Sequence, residues 1–313
     1  MYSLLFPGQG SQQVGMGKDL YDNFDLVKHI FKEADECLNY KISKIILEGP
    51  SEKLQLTENT QPAILTVSFS IFTILKKEFG IDLNKFSYFA GHSLGEYSGL
   101  VCADSLDFKD AIYLLHERGK AMQNAVPVGE GMMLAVLAMQ INELKDLIGQ
   151  QNEDKGVCEI ANDNADGQVI ISGEKKKIMS FKSELKKKKI KTIPLKVSAP
   201  FHCSLMKPAA DIMSEKIKNT NFKKPSHKII NNVTAQEVTE PDEIKNLLIK
   251  QIFSTVKWRE SIINISKSGV KSFVEIGPGK ALSGMVKRTM KDKSCFPINT
   301  VDDIKDLKYE LQK

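Results

Sequence analysis

The chain has 313 residues, 42% hydrophobic and 27% charged, with a net charge of +5, a composition that suits a globular protein with a large core. Its longest apolar run, residues 132–139, is far short of the roughly 20 a membrane span needs, and residues 1–6 carry no basic leader and no room for a signal core, so the cytosol is the expected compartment. The five cysteines form no Cys-x-x-Cys pair and the five histidines no His-x-x-x-His spacing, so neither a disulfide framework nor a metal site is expected.

Residues 3–6 predict a short buried strand, closed by Pro7-Gly8-Gln9-Gly10-Ser11-Gln12. The glycines here fit neither phosphate-binding pattern. Gln13 stands where Gly-x-Gly-x-x-Gly needs glycine, and Gln12 and Asp19 stand where a P-loop needs Gly and Ser or Thr. The loop reads instead as the backbone-lined rim of a pocket. Helical periodicity follows over residues 24–37 and 62–79, the second apolar nearly all round and therefore buried. Residues 86–90 predict a strand feeding Gly91-His92-Ser93-Leu94-Gly95, and residues 94–102 can continue as a helix. Strand, Gly-x-Ser-x-Gly and helix make the context of a nucleophile elbow, where a Cβ at either glycine would crowd the turn. Residues 107–124 predict a helix capped by Asp107 and carrying His116, Glu117 and Arg118.

At residues 126–129 the texture changes. Strands are expected at 132–139, 157–161, 168–172 and 192–197, and helices at 141–148 and 174–189, with Asn-Asp-Asn-Ala-Asp-Gly (162–167) as a turn. This βαββαβ order is the ferredoxin-like arrangement, inserted in a larger α/β body. Between residues 174 and 191 there are nine lysines and two acids. They form either a solvated helix face or a docking patch for an acidic partner, without the interleaved aromatics that single-stranded nucleic acid would want. The body resumes at 198, with helices at 205–217, 241–253, 258–268 and 280–290 and strands at 228–232, 272–276 and 296–300. Pro297 would confine the last strand to an edge, and a C-terminal helix follows. Strands alternating with helices imply a mostly parallel sheet covered on both faces.

A serine at neutral pH is a poor nucleophile until a base takes its proton. His202 is the best-placed base, in a loop after a strand and in a Pro-Phe-His-Cys context that restrains the backbone. His92 should point the other way along the turn, and His29, His116 and His227 read as surface or core positions. On residues alone a structural role for His202 stays open. So does a hydrolase triad using Asp163 or Asp166, which lie between serine and histidine in chain order.

Five separated motifs extend the reading: Phe6-Pro7-Gly8-Gln9-Gly10-Ser11-Gln12, Gly91-His92-Ser93-Leu94-Gly95-Glu96-Tyr97, Glu117-Arg118-Gly119, Ser198-Ala199-Pro200-Phe201-His202 and Glu275-Ile276-Gly277-Pro278-Gly279. In content and order they resemble the malonyl-CoA:acyl-carrier-protein transacylase family. The resemblance implies an α/β-hydrolase-like body, residues 1–126 and 198–313, with a ferredoxin-like small subdomain at 127–197. It implies that Ser93 is the acylated nucleophile and His202 its base and then acid. Gln251 would supply a backbone carbonyl that orients His202, so that no catalytic Asp is needed. The amides of Leu94 and Gln9 would form the oxyanion hole, and Arg118 would grip the malonyl carboxylate. Leu94 after the serine and Phe201 before the histidine match the malonyl-selective pattern rather than the methylmalonyl one. The implied reaction moves malonyl from coenzyme A to the pantetheine thiol of acyl carrier protein in fatty-acid synthesis. It needs no metal and no cofactor beyond the thioester substrate, and no nucleic acid or membrane partner. The alternative is a serine hydrolase or thioesterase sharing the elbow.

Overall fold

The computed structural model describes residues 1–150, 156–197 and 199–312. Ser198, which opens the Ser-Ala-Pro-Phe-His motif and the expected return to the body, lies outside the described residues, as does Lys313. The strands are β1 (Tyr2–Phe6), β2 (Phe86–Gly91), β3 (Gly131–Leu137), β4 (Cys158–Ala165), β5 (Gln168–Glu174), β6 (Thr192–Pro194), β7 (Lys228–Ile230), β8 (Glu237–Val238), β9 (Ser272–Ile276) and β10 (Ser294–Ile298). They make two sheets.

The larger sheet has the order β10-β9-β1-β2-β7-β8, parallel throughout except for the β7–β8 pair. A parallel sheet is covered on both faces, so its central strands are apolar at successive positions. β1 illustrates this: Leu4 and Phe6 enter the core beneath the Thr57–Lys77 helix, while Leu5 enters the opposite core with Trp258, Ile262 and Phe273. Pro297 lies in β10, an edge strand, where a missing N–H costs the ladder nothing. The second sheet is antiparallel, in the order β4-β5-β3-β6. From β3 to β6 the chain runs strand, helix, strand, strand, helix, strand. Leu144 of the Ile141–Gln150 helix and Ile178, Phe181 and Leu185 of the Lys175–Lys187 helix pack on this sheet.

Two expectations need correction. The buried helix expected to begin at Pro62 begins at Thr57 and runs to Lys77. Proline in a helix interior leaves the carbonyl four residues earlier without its donor. Here that carbonyl, Glu58 O, lies 3.0 Å from His116 Nδ1, so the neighbouring helix supplies the missing bond. The second correction concerns residues 162–167. They do not form a turn, because β4 continues to Ala165 through two bulges and only Asp166-Gly167 turns. Asn162, Asp163 and Asn164 are buried within it, a polar strand whose groups find partners on the other sheet's side. Val256 N donates to Ala161 O (2.8 Å), Asp163 N to Val256 O (3.0 Å), and Arg259 Nε to the Asp163 carboxylate (3.0 Å). The short helices Lys18–Asn23, Ile42–Glu48 and Ser51–Gln55, and the two-residue β8, are too brief to show a periodicity in sequence. Among the described residues, no helix is long and apolar enough to cross a membrane.

Candidate active site

Parallel sheets present their loops, and hence their sites, beyond the carboxyl ends of the strands. Here Gln9 follows β1, Ser93 follows β2, and Asn231 and Asn232 follow β7. The elbow is sterically determined. A Cβ on Gly91 would lie 1.9 Å from the Gly95 carbonyl, and one on Gly95 would lie 2.2 Å from Phe6 O, so only glycine permits the turn. Ser93 itself sits at φ +53°, a strained region for a residue with a Cβ. The conformation is held by its amide donating to Asn232 Oδ1 (2.7 Å) and by Asn232 Nδ2 donating to Gly91 O (2.7 Å).

His202, also at positive φ (+60°), places Nε2 2.9 Å from Ser93 Oγ. Its Nδ1 lies 2.9 Å from the Gln251 carbonyl oxygen. A carbonyl only accepts, so Nδ1 carries the hydrogen and Nε2 offers its lone pair to the serine hydroxyl. Burial, and then the charge of Arg118, push the His202 pKa down to about 3, so the imidazole is neutral and ready to accept a proton. The following turn is fastened from the antiparallel sheet, with Ser204 N and Oγ both donating to Glu159 of β4 (2.9 and 2.5 Å).

Arg118 reaches the site from the Phe108–Asn124 helix because Gly119 lets that helix approach the Thr57–Lys77 helix. A Cβ on Gly119 would fall 2.5 Å from Glu58 Cα. The guanidinium is 1% exposed. It donates to Gln61 Oε1 (2.8 Å), Gln251 Oε1 (2.8 Å) and Ser93 Oγ (3.1 Å). Burial lowers its pKa from the ordinary value, opposed by Tyr97 and Glu96, and no carboxylate forms an ion pair with it among the described residues. A buried cation that donates only to neutral oxygens is an open position for an anion.

These groups line a cavity of about 250 Å³ between the two sheets. Gln9, Gln61, Ser93, Leu94 and Arg118 form the body side, and Met133 and Ile170 the side of the antiparallel sheet. Gln9 and Leu94 both line that cavity, and among the described residues neither backbone N–H donates to a backbone acceptor. A broader depression of about 650 Å³ reaches His202 from the other side but includes neither Ser93 nor Arg118.

All six residues named from the sequence, Gln9, Ser93, Leu94, Arg118, His202 and Gln251, therefore meet at one place. His92 also lines the cavity but is engaged elsewhere than at Ser93 Oγ, its Nε2 2.8 Å from Asn164 Oδ1 and its ring edge-on to Trp258. Asp163 and Asp166 are engaged by Arg259, not by His202. Sequence reasoning missed Gln61, Asn231, Asn232 and Glu96. Asn59-Thr60-Gln61, three consecutive buried polar residues at the start of a buried helix, are a readable signal, and so is the Asn pair closing an apolar strand. No group of three or more His, Cys, Asp or Glu that could hold a metal occurs among the described residues.

Comparison with known proteins agrees with this geometry. Residues 3–308 match the family model described as the acyl transferase domain. The chain is 44% identical over 304 residues to the malonyl CoA-acyl carrier protein transacylase of Bacillus subtilis, covering 96% of this chain and 94% of that protein. The acyl-carrier-protein-S-malonyltransferase of Bartonella henselae superposes with a TM-score of 0.95 at 39% identity, over 100% of this chain and 99% of that one. A malonyl-transacylase solved in complex with its type II PKS acyl-carrier protein superposes with a TM-score of 0.94 at 36% identity, over 99% of each chain. The chain belongs to the acyl transferase domain family and, within it, to the malonyl-CoA:acyl-carrier-protein transacylases.

Proposed function

We propose that the chain transfers malonyl from coenzyme A to the pantetheine thiol of acyl carrier protein, in fatty-acid synthesis, through a malonyl ester on Ser93. The observation that carries the reading is a buried guanidinium 3.1 Å from Ser93 Oγ, with no ion-paired carboxylate among the described residues, in a chain of this family. An esterase acting on uncharged acyl groups has no use for it, whereas malonyl ends in a carboxylate that a planar guanidinium can take bidentately.

Ser93 Oγ attacks the thioester carbon and its proton passes to His202 Nε2. The carbonyl electrons move onto oxygen, which the amides of Leu94 and Gln9 receive; removing one donor of this kind costs about 2.7–4 kcal/mol in known cases. The tetrahedral adduct collapses, breaking the C–S bond, and the coenzyme A thiolate takes the proton from His202. In the second half the carrier thiol gives its proton to His202 and attacks the ester, and Ser93 leaves and regains the proton. Gln251 O holds the imidazole throughout, in a Ser–His dyad without a carboxylate. One thioester replaces another, so the exchange is nearly balanced and calls for no cofactor.

The same reading treats residues 1–126 and 198–313 as an α/β-hydrolase-like body and 127–197 as a ferredoxin-like subdomain, with the cavity at their seam. It places the enzyme in the cytosol, and makes the lysines of the Lys175–Lys187 helix candidates for docking the acidic carrier. The test is intact-protein mass measurement of wild type and Ser93→Ala with malonyl-CoA, then with carrier protein. A malonyl adduct on wild type only, discharged to the carrier, is expected. Steady release of malonate without carrier would make the chain a hydrolase instead.

A further inference from the structure

Glu96 stands three residues beyond the nucleophile, fully buried, and has no part in the proton transfers above. Its carboxylate accepts from Asn231 Nδ2 (2.6 Å), the Asn232 amide (3.1 Å) and Gln251 Nε2 (2.7 Å). All three partners are donors, and a protonated carboxyl would have to aim its own hydrogen at one of them. Gln251 in turn joins the two halves of the site. Its main-chain oxygen receives His202 Nδ1 and its side-chain Oε1 receives Arg118 Nη2. An amide side chain has two orientations, and Arg118 can only donate. Oε1 faces Arg118 because Nε2 is claimed by Glu96, with Ser93 O (3.1 Å) and Asn232 Oδ1 (3.3 Å) as further acceptors.

We propose that Glu96, as a carboxylate, is the positioning residue that sets the Gln251 amide and so holds Arg118 in the attitude that receives the malonyl carboxylate. The inference rests on the transfer reading above. The charged or titratable groups facing Glu96 are Arg118 from the Phe108–Asn124 helix and Tyr97 from its own helix, with His202 and His92 beyond the intervening amides. Burial raises the Glu96 pKa to about 7 against the pull of its three donors and of Arg118. Loss of malonyl loading as pH falls through that value therefore reports Glu96, because His202 stays neutral to far lower pH.

The experiment is single-turnover loading of Ser93 from malonyl-CoA and from acetyl-CoA, in wild type and Glu96→Gln, between about pH 5.5 and 8.5. In wild type, malonyl loading falls through the inflection near 7 and acetyl loading does not follow it. Partners that orient metal ligands are commonly worth about 10- to 100-fold, and the partner that orients the Arg118 guanidinium is set on the same scale. Glu96→Gln should lose that much in malonyl kcat/KM, mainly through KM, keep acetyl loading, and show no inflection. Equal loss for both acyl groups, or an inflection retained in the variant, overturns the role. Should the variant not fold, the wild-type profiles decide alone: an inflection near 7 shared by malonyl and acetyl loading, or absent from malonyl loading, overturns the role. A wild type that takes no malonyl on Ser93 overturns the transfer reading, an outcome distinct from the others.

Discussion

Replacing Arg118 with alanine separates substrate anchoring from chemistry. The Arg118 side chain is 1% exposed and forms no ion pair with a carboxylate among the described residues, Glu96 standing beyond the Gln251 amide, so the malonyl carboxylate would be its direct counter-ion. Two charge-assisted hydrogen bonds at about 1.5–3 kcal/mol each give about 3–6 kcal/mol. Coulomb's law, for charges about 4 Å apart at an effective dielectric of about 20, gives about 4 kcal/mol. Both routes predict a loss of about 10²- to 10⁴-fold in kcat/KM for malonyl-CoA. The variant also strips the donor from two buried oxygens, Gln61 Oε1 and Gln251 Oε1, while relieving a buried charge, so its melting temperature must be checked beside its kinetics. Quenched-flow loading of Ser93, read by mass, should show the malonyl loss with acetyl loading preserved. An equal fall with both acyl groups would refute the anchor and leave Arg118 as a structural cation.

Gly91→Ala must move the Gly95 carbonyl, which a new Cβ would meet at 1.9 Å; a destabilisation above the usual 1–3 kcal/mol or so of overpacking and loss of the Ser93 adduct are expected, by urea denaturation and mass measurement. Gly119→Ala pushes the Arg118 helix off Glu58, so it should raise the malonyl-CoA KM more than it slows acetyl loading. Stability should also respond to pH in two opposed ways. His202, at about 3 folded against 6.5 ordinarily, takes stability away as pH falls below 6.5. Glu96, at about 7 folded against 4.5 ordinarily, binds its proton first in the folded state and adds stability as pH falls through 7. Glu96→Gln removes only the second effect, so wild type should gain about 3 kcal/mol on the variant as pH drops from 7 to 4.5, at about 1.4 kcal/mol per unit. Parallel urea-denaturation curves for the two proteins across that range would contradict the burial of an ionisable carboxyl.

What could be read from sequence, and what could not, follows from where each residue's partners lie. The elbow was legible because its constraints are local: Gly91 and Gly95 are needed by atoms within a few residues and by the adjoining β1. The pocket-rim loop after β1 and the edge position of Pro297 were legible for the same reason. The burial of Arg118 was not, since a helical arginine is ordinarily solvated; it depends on Gly119 clearing Glu58 and on Gln61 and Gln251, which are 57 and 133 residues away. Pro62 misplaced a helix start because its remedy, His116, comes from another helix. Asn162-Asp163-Asn164 read as a turn because polar side chains favour turns when solvated, whereas here His92 and Arg259 satisfy two of them in a buried strand. Glu96 could be seen but not interpreted, because all its partners lie more than a hundred residues downstream.

The carbonyl behind His202 bears on how the acyl-enzyme divides between its possible acceptors. A carboxylate there would stabilise the imidazolium; the uncharged Gln251 O does so weakly, and Arg118 opposes it. Such a base is a poor one, but a thiol ionises near pH 8.5 and water near 15.7, so the two nucleophiles ask for very different help. The thiol needs little of it, while water needs as much as the Ser93 hydroxyl, which receives it by being held 2.9 Å from His202 Nε2 and 3.1 Å from Arg118. Under the transfer reading, the fixed contacts that activate Ser93 are not offered to a passing water, and the acceptor that needs least help, the carrier thiol, is the one the site favours.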